Sequence, residues 1–252
     1  MRFSRVPYIS LLIAALTVMG SSHAQAASIL VFTDTAGGSV SCDNSLPIGP
    51  GNCGAGFTTV ANSNFISFTG VVGGFTILAA NVGGNQPGSP MAGNVLESTF
   101  SVLHASGTGN LQIDYGGNNF LLPAGPGLSL SASASGTWGQ SQETDVMNFQ
   151  VWGRADNALI IPGGTATAIA PSCVPGAGLT TSCSEVTLDV PFARGAGNYS
   201  LTARQIITQS ALDTLGASYN SSVAATAVPE STSLLLLGAG LTGAAFWRKR
   251  SS

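Results

Sequence analysis

The sequence is poor in charge. Of its 252 residues, 8 are Lys or Arg and 11 are Asp or Glu, so 8% are charged, against about a quarter in an ordinary soluble domain. So few basic residues cannot build a cationic phosphate-binding face, which excludes nucleic acid as a partner. Other signals are missing as well. There is no G-x-S-x-G elbow to locate a hydrolase nucleophile, no EF-hand loop or nonapeptide calcium repeat, and no T-x-T ladder of the regular kind that ice binding would require. Between the two chain ends no apolar stripe with helical period runs longer than two turns. What the chain does have is 33 glycines, 12 prolines and a 44% share of hydrophobic residues. That composition argues against a disordered polyelectrolyte and allows one or two domains with a real core.

The N-terminus has the layout of an export signal. Arg2 and Arg5 supply the positive region and Ile9 to Met19 the apolar one; the small-residue stretch Ser21 to Ala27 follows. Ala24-Gln25-Ala26 fits the A-x-A rule for signal peptidase and predicts a signal peptide over residues 1–26, with cleavage after Ala24 as the other option. The C-terminus has three parts over residues 228–252: the motif Val228-Pro229-Glu230-Ser231-Thr232, an uncharged run to Trp247, and the basic cluster Arg248-Lys249-Arg250. A helix over about 232–247 spans roughly 25 Å, slightly short of a hydrocarbon core near 30 Å. Trp247 suits the headgroup zone, and the basic cluster stays cytoplasmic under the positive-inside rule.

Val228-Pro229-Glu230, the hydroxyl residues after it, the Leu/Gly/Ala-rich segment and the terminal Arg/Lys cluster together resemble the PEP-CTERM sorting signal of exported bacterial proteins. The same tail also goes by a name taken from ice-binding proteins that carry it, a label for the sorting segment and not for the domain upstream. The resemblance covers about residues 227–250. It implies a membrane-held precursor recognised and cut by an exosortase, a membrane-embedded cysteine transpeptidase. The cargo is then released to the envelope surface or the exopolysaccharide matrix. One departure is Ser231, where the family has a second proline. The tail also holds Gly238-Ala239-Gly240-Leu241-Thr242-Gly243, which matches G-x-G-x-x-G. A dinucleotide fold needs a crossover helix, a second strand and an acid about 20 residues on, and the chain provides no room for them. These glycines are read instead as a helix-packing surface.

Residues 27–227 remain as the cargo. They contain ten acids and three arginines, Arg154, Arg194 and Arg204, which gives a formal charge of −7 with no lysine. Anionic ligands are therefore disfavoured. Leu128 to Ala134 alternates strictly between apolar or small and serine, the period of a half-buried strand. Further strands are expected at Ser28–Thr33, Phe65–Gly70, Phe75–Asn81, Val95–His104, Leu111–Tyr115, Val146–Arg154, Glu185–Phe192 and Tyr199–Ile207. Turns are expected at Gly83–Pro87 and Tyr115–Asn119. The fold class is all-β, an antiparallel β-sandwich or jelly-roll, flanked by the signal peptide and a single C-terminal transmembrane helix.

Cys42, Cys53, Cys173 and Cys183 form two local pairs spaced C-x10-C and C-x9-C. An even count in an exported chain favours disulfides, and four cysteines allow three connectivities. We choose Cys42–Cys53 and Cys173–Cys183, each stapling a Gly/Pro/Ser-rich loop; a four-thiolate zinc site would want closer spacing within each pair. The search for chemistry gives weak candidates. His104 with Asp114 and a serine could be drawn as a triad; Glu143, Asp145 and Asp156 could be drawn around Ca²⁺. Both sets read better as ordinary surface or packing residues, so no catalytic or metal-ligating residue and no cofactor is expected. Trp152 lies in an apolar run and reads as core. Trp138, in the turn-like Gly136-Thr137-Trp138-Gly139-Gln140, is the exposed aromatic candidate for a sugar platform. Asn198 and Asn220 match the N-glycosylation pattern by chance. The reading is a non-enzymatic protein of the cell surface or extracellular biofilm matrix. Its partners would be the secretion machinery, signal peptidase, exosortase, the membrane and, in the matrix, exopolysaccharide. The alternative is a carbohydrate-binding module or a sugar-processing enzyme delivered by the same route.

Overall fold

The period-two pattern of Leu128 to Ala134 appears in space as alternating burial, with Leu128, Leu130, Ala132 and Ala134 turned inward and Ser129, Ser131 and Ser133 outward. The same device repeats along the chain. In the computed structural model residues 26–228 are described, apart from 50, 126 and 212–215. Ala24, Pro229, Glu230, Arg248, Lys249 and Arg250, and with them the signal peptide and the expected transmembrane helix, lie outside the described residues. Within these there are fourteen strands and no helix. They are β1 (Ser28–Asp34), β2 (Ser39–Asp43), β3 (Phe57–Thr59), β4 (Phe65–Val72), β5 (Phe75–Gly84), β6 (Ala92–His104) and β7 (Thr108–Phe120). The second half adds β8 (Gly127–Ser141), β9 (Val146–Arg154), β10 (Ala166–Ile169), β11 (Gly178–Val186), β12 (Val190–Ala193), β13 (Tyr199–Ser210) and β14 (Ala217–Ala227).

All pairings are antiparallel. Six strands form one sheet in the order β10-β9-β13-β7-β1-β2. Eight form the other, in the order β11-β8-β14-β6-β5-β4-β3, with β12 also paired to β8. The inward residues of both sheets share one core, which includes Leu30, Phe32, Ile77, Val95, Ile113, Leu201 and Val223. Side-chain hydrogen bonds cross it: the Tyr115 hydroxyl donates to Ser221 Oγ at 2.8 Å, Gln209 Nε2 donates to the Val102 carbonyl at 2.9 Å, and the Tyr219 hydroxyl donates to Gln209 Oε1 at 3.3 Å. The molecule is thus a two-layer all-β sandwich.

The disulfides are Cys42–Cys53 and Cys173–Cys183, and the described residues leave no free cysteine. The first ties β2 to the loop before β3; the second ties the loop after β10 to edge strand β11. Both fit an oxidising compartment outside the cytoplasm.

Three expectations need correction. Tyr115–Asn119 is not a turn, because β7 runs on to Phe120. Its glycines serve close approach instead: a Cβ on Gly116 would stand 2.7 Å from the Leu201 carbonyl oxygen, and one on Gly117 would overlap the Gln86 amide. The stretch Glu185–Phe192 is not one strand. It breaks at Thr187 to Asp189 between β11 and β12, and Thr187 fills the break by bonding the Ala132 backbone through both its own backbone and its hydroxyl. Trp138 is not in a turn but inside β8.

Candidate functional site

Trp138 is fully buried, with its ring edge-on to Tyr219 at 5.4 Å between centroids. It is a core residue and cannot be a sugar platform. The glycines that made its setting look turn-like have a packing reason: a Cβ on Gly136 would meet the Trp138 ring at 2.5 Å. Trp152 is buried as well, with Gly164 close against it.

The other drawn constellations do not assemble. His104 ends β6 with its ring against Phe75 at 4.4 Å, and the ring also lies against Gly109. Asp114 sits on the six-stranded sheet, where Arg204 grips both its oxygens at 2.7 and 2.8 Å. That grip holds the Arg204 guanidinium even more firmly protonated than usual. Glu143 and Asp145 are not strand neighbours on one face; they belong to the turn between β8 and β9. Asp145 is buried, and its oxygens accept the backbone N–H groups of Gln142 and Ser210, each at 2.8 Å. Asp156 follows the opposite end of β9 and pairs with Arg154, whose hydrogen bonds hold its carboxyl below the usual range. Glu143 is exposed. The three acids are thus separated, and no group of three His, Cys, Asp or Glu among the described residues could hold a metal ion.

A polar cluster in the middle of the sandwich has no counterpart in the sequence pattern. Glu97, on β6, points into the core and is 2% exposed. Its carboxyl takes hydrogen bonds from the Thr99 and Ser221 hydroxyls, and Ser221 in turn accepts from Tyr115. Burial pushes the Glu97 carboxyl up to about 8, against the smaller opposing pull of those two hydrogen bonds. The Tyr115 hydroxyl is pushed well above its ordinary value, first by burial and then by the charge Glu97 would carry. Glu97 is therefore mostly protonated at pH 7, and the cluster is a buried hydrogen-bond network, of which Glu97 and Ser221 also line a depression on the sheet's outer side.

The outward face of the eight-stranded sheet is different. Register aligns Ser184, Ser135, Asn220, Ser98, Asn81, Ser67 and Thr58, one from each of seven strands, in a single row. Strand spacing near 4.8 Å sets the interval along the row. The next row holds Val186, Ser133, Ser222, Leu96, Gly83 and Phe65. The two rows contain no ionisable side chain. Glu97 turns into the core, and Glu185 is aligned with the inward Ala134. Over β5, β6, β14 and β8 the face is hollowed into a depression of about 460 Å³. A second, of about 300 Å³, continues it past Ser133 and Ser222 toward Asp189. Ser133 and Ser222 bond each other at 2.8 Å. Among the described residues, the side chains of Asn81, Ser98, Ser135 and Asn220 have no hydrogen-bond partner. Alternation had exposed the serines of β8 as an outward row, but nothing in the sequence places β14 and β5 beside them.

No protein-family model and no curated protein matches the chain. Among solved structures it is similar to one described as the structure of infectious bursal disease virus Gx strain, at 12% identity and a TM-score of 0.31, covering 81% of this chain and 57% of that one. It is similar also to the endoglucanase 3 of Trichoderma harzianum from family GH12, at 11% identity and a TM-score of 0.20, covering 68% of this chain and 98% of that one.

Proposed function

We propose that the chain is an exported, non-enzymatic protein of the cell surface or extracellular matrix, delivered as a disulfide-stapled β-sandwich and sorted through a PEP-CTERM tail. The observation that carries this reading is the pair of local disulfides in a chain whose ends read as an export signal and a sorting signal. Such bonds persist outside the cytoplasm and not within it. Absence of catalysis is supported by the scattering of the drawn constellations. His104 packs on Phe75, Asp114 is held by Arg204 on the other sheet, and Asp145 is spent on backbone N–H groups.

The test is fractionation with intact-mass analysis of the wild type and a Pro229→Ala/Glu230→Ala variant. Sorting predicts a wild-type protein in the surface or matrix fraction that begins near Ala27 and has lost the segment after Glu230, with the variant retained in the membrane at full tail length. A wild-type tail that stays attached, with no effect of the substitution, overturns exosortase processing.

A further inference from the structure

We propose that the groove on the outward face of the eight-stranded sheet binds a neutral, hydroxyl-rich polysaccharide chain. Three independent features of the groove point to this ligand. Asn81, Ser98, Ser135 and Asn220 present donors and acceptors that no other side chain or backbone group among the described residues uses, the inventory that sugar hydroxyls match. Leu96 and Val186, 54% and 64% exposed, stand in the neighbouring row, where the C–H faces of sugar rings would cover them. Charge is absent from both rows, whereas the cargo as a whole carries −7. Asp189 lies at the far end of the groove, and the acid in the lining of its main depression, Glu97, is turned into the core with its carboxyl pushed up to about 8 by burial. An anionic polymer would meet no cation there and would be repelled by the whole. A nucleic acid would fail for the same reason.

The groove is elongated, running across the strands from β11 toward β5, so it fits a chain better than a single small molecule. The cleft of about 600 Å³ at one end of the sandwich, lined by Thr108, Gln142, Glu143 and Ser210, carries the exposed acid Glu143 and lies at a turn between strands instead of along a sheet face; it serves as the internal control. Binding is a property of the sandwich and does not rest on the sorting reading. Failure of exosortase processing leaves this assay unaffected, and failure of this assay leaves sorting unaffected.

The experiment is native affinity electrophoresis of the purified full-length chain in gels carrying soluble neutral glucan, mannan or galactan, with alginate as the anionic comparison. Retardation is expected in at least one neutral gel and not in alginate. Ser98→Arg, which puts a long cation in the middle of the groove, should weaken retardation by about tenfold or more. Asn220→Ala with Ser135→Ala should weaken it severalfold, and Glu143→Gln should leave it unchanged. Circular dichroism establishes that each variant is folded; if Ser98→Arg is not, the Asn220→Ala/Ser135→Ala pair decides. No retardation in any neutral gel, retardation in alginate, or retardation undiminished in the folded groove variants overturns the proposal.

Discussion

Replacing Glu97 with glutamine should stabilise the protein at alkaline pH and leave it nearly unchanged in acid. Glutamine keeps the length and hydrogen-bonding capacity of the side chain and removes its charge. In the native state the carboxyl titrates at about 8, against an ordinary value of 4.5. A raised native value means that the folded state holds the proton more tightly than the unfolded chain does. Stability is then intact below pH 4.5 and falls as pH rises toward 8, where the native carboxyl finally ionises. Each pH unit in that window is worth about 1.4 kcal/mol, so the full loss approaches ~4–5 kcal/mol. For a domain of this size each kcal/mol moves Tm by about 2–4 °C, which places the variant on the order of 10 °C above wild type at pH 9. Urea or thermal unfolding of both proteins at pH 5, 7 and 9 measures the gap directly, because every other titrating group cancels in the difference. A gap that is constant with pH, or one that widens toward acid, refutes the assignment of Glu97 as a buried neutral acid.

Trp138→Ala should cost about 3–5 kcal/mol as a large core truncation. The folded fraction of that variant should show unchanged glycan retardation, since the ring lies on the inner side of β8. The Cys173→Ala/Cys183→Ala pair should lose about 3 kcal/mol on the chain-entropy account of a loop of this length. Chemical denaturation checks it, and a reducing agent should lower the wild type further than this variant, which retains only Cys42–Cys53.

Strands were legible wherever apolar residues alternated over several turns of the pleat. β1, β4, β5, β9 and β13 lie close to where their patterns place them. β14 escaped notice because its inward set, Ala217, Tyr219, Ser221, Val223 and Ala225, is mostly small or polar. It occupies a central slot because its neighbours supply the bulk that it lacks. Trp138 misled for a related reason. Glycines at 136 and 139 mark a turn only if nothing large presses on the backbone, and here the indole itself occupies the space beside Gly136. The groove was only half legible. The serines of β8 could be assigned to an outward face, but the row they belong to joins seven strands separated widely in sequence, and only the sheet order brings them together. The Glu97 network was invisible, since a lone acid within a strand pattern ordinarily marks the wet face.

The order of the strands constrains when this molecule can exist. β13 and β14 are the last two in sequence, yet each sits inside its sheet, β13 between β9 and β7 and β14 between β8 and β6. Until they arrive, each sheet is split into two fragments with open edges, and the shared core lacks Tyr199, Leu201, Ile207, Tyr219 and Val223. A chain emerging N-terminus first therefore cannot complete either layer from its leading segments. Ala227 must emerge before the two halves close, with the open edges exposed to unwanted pairing in the meantime. Truncation before Ala217 would remove a keystone and not a fringe, leaving the eight-stranded sheet in two separate pieces in place of a slightly smaller sandwich.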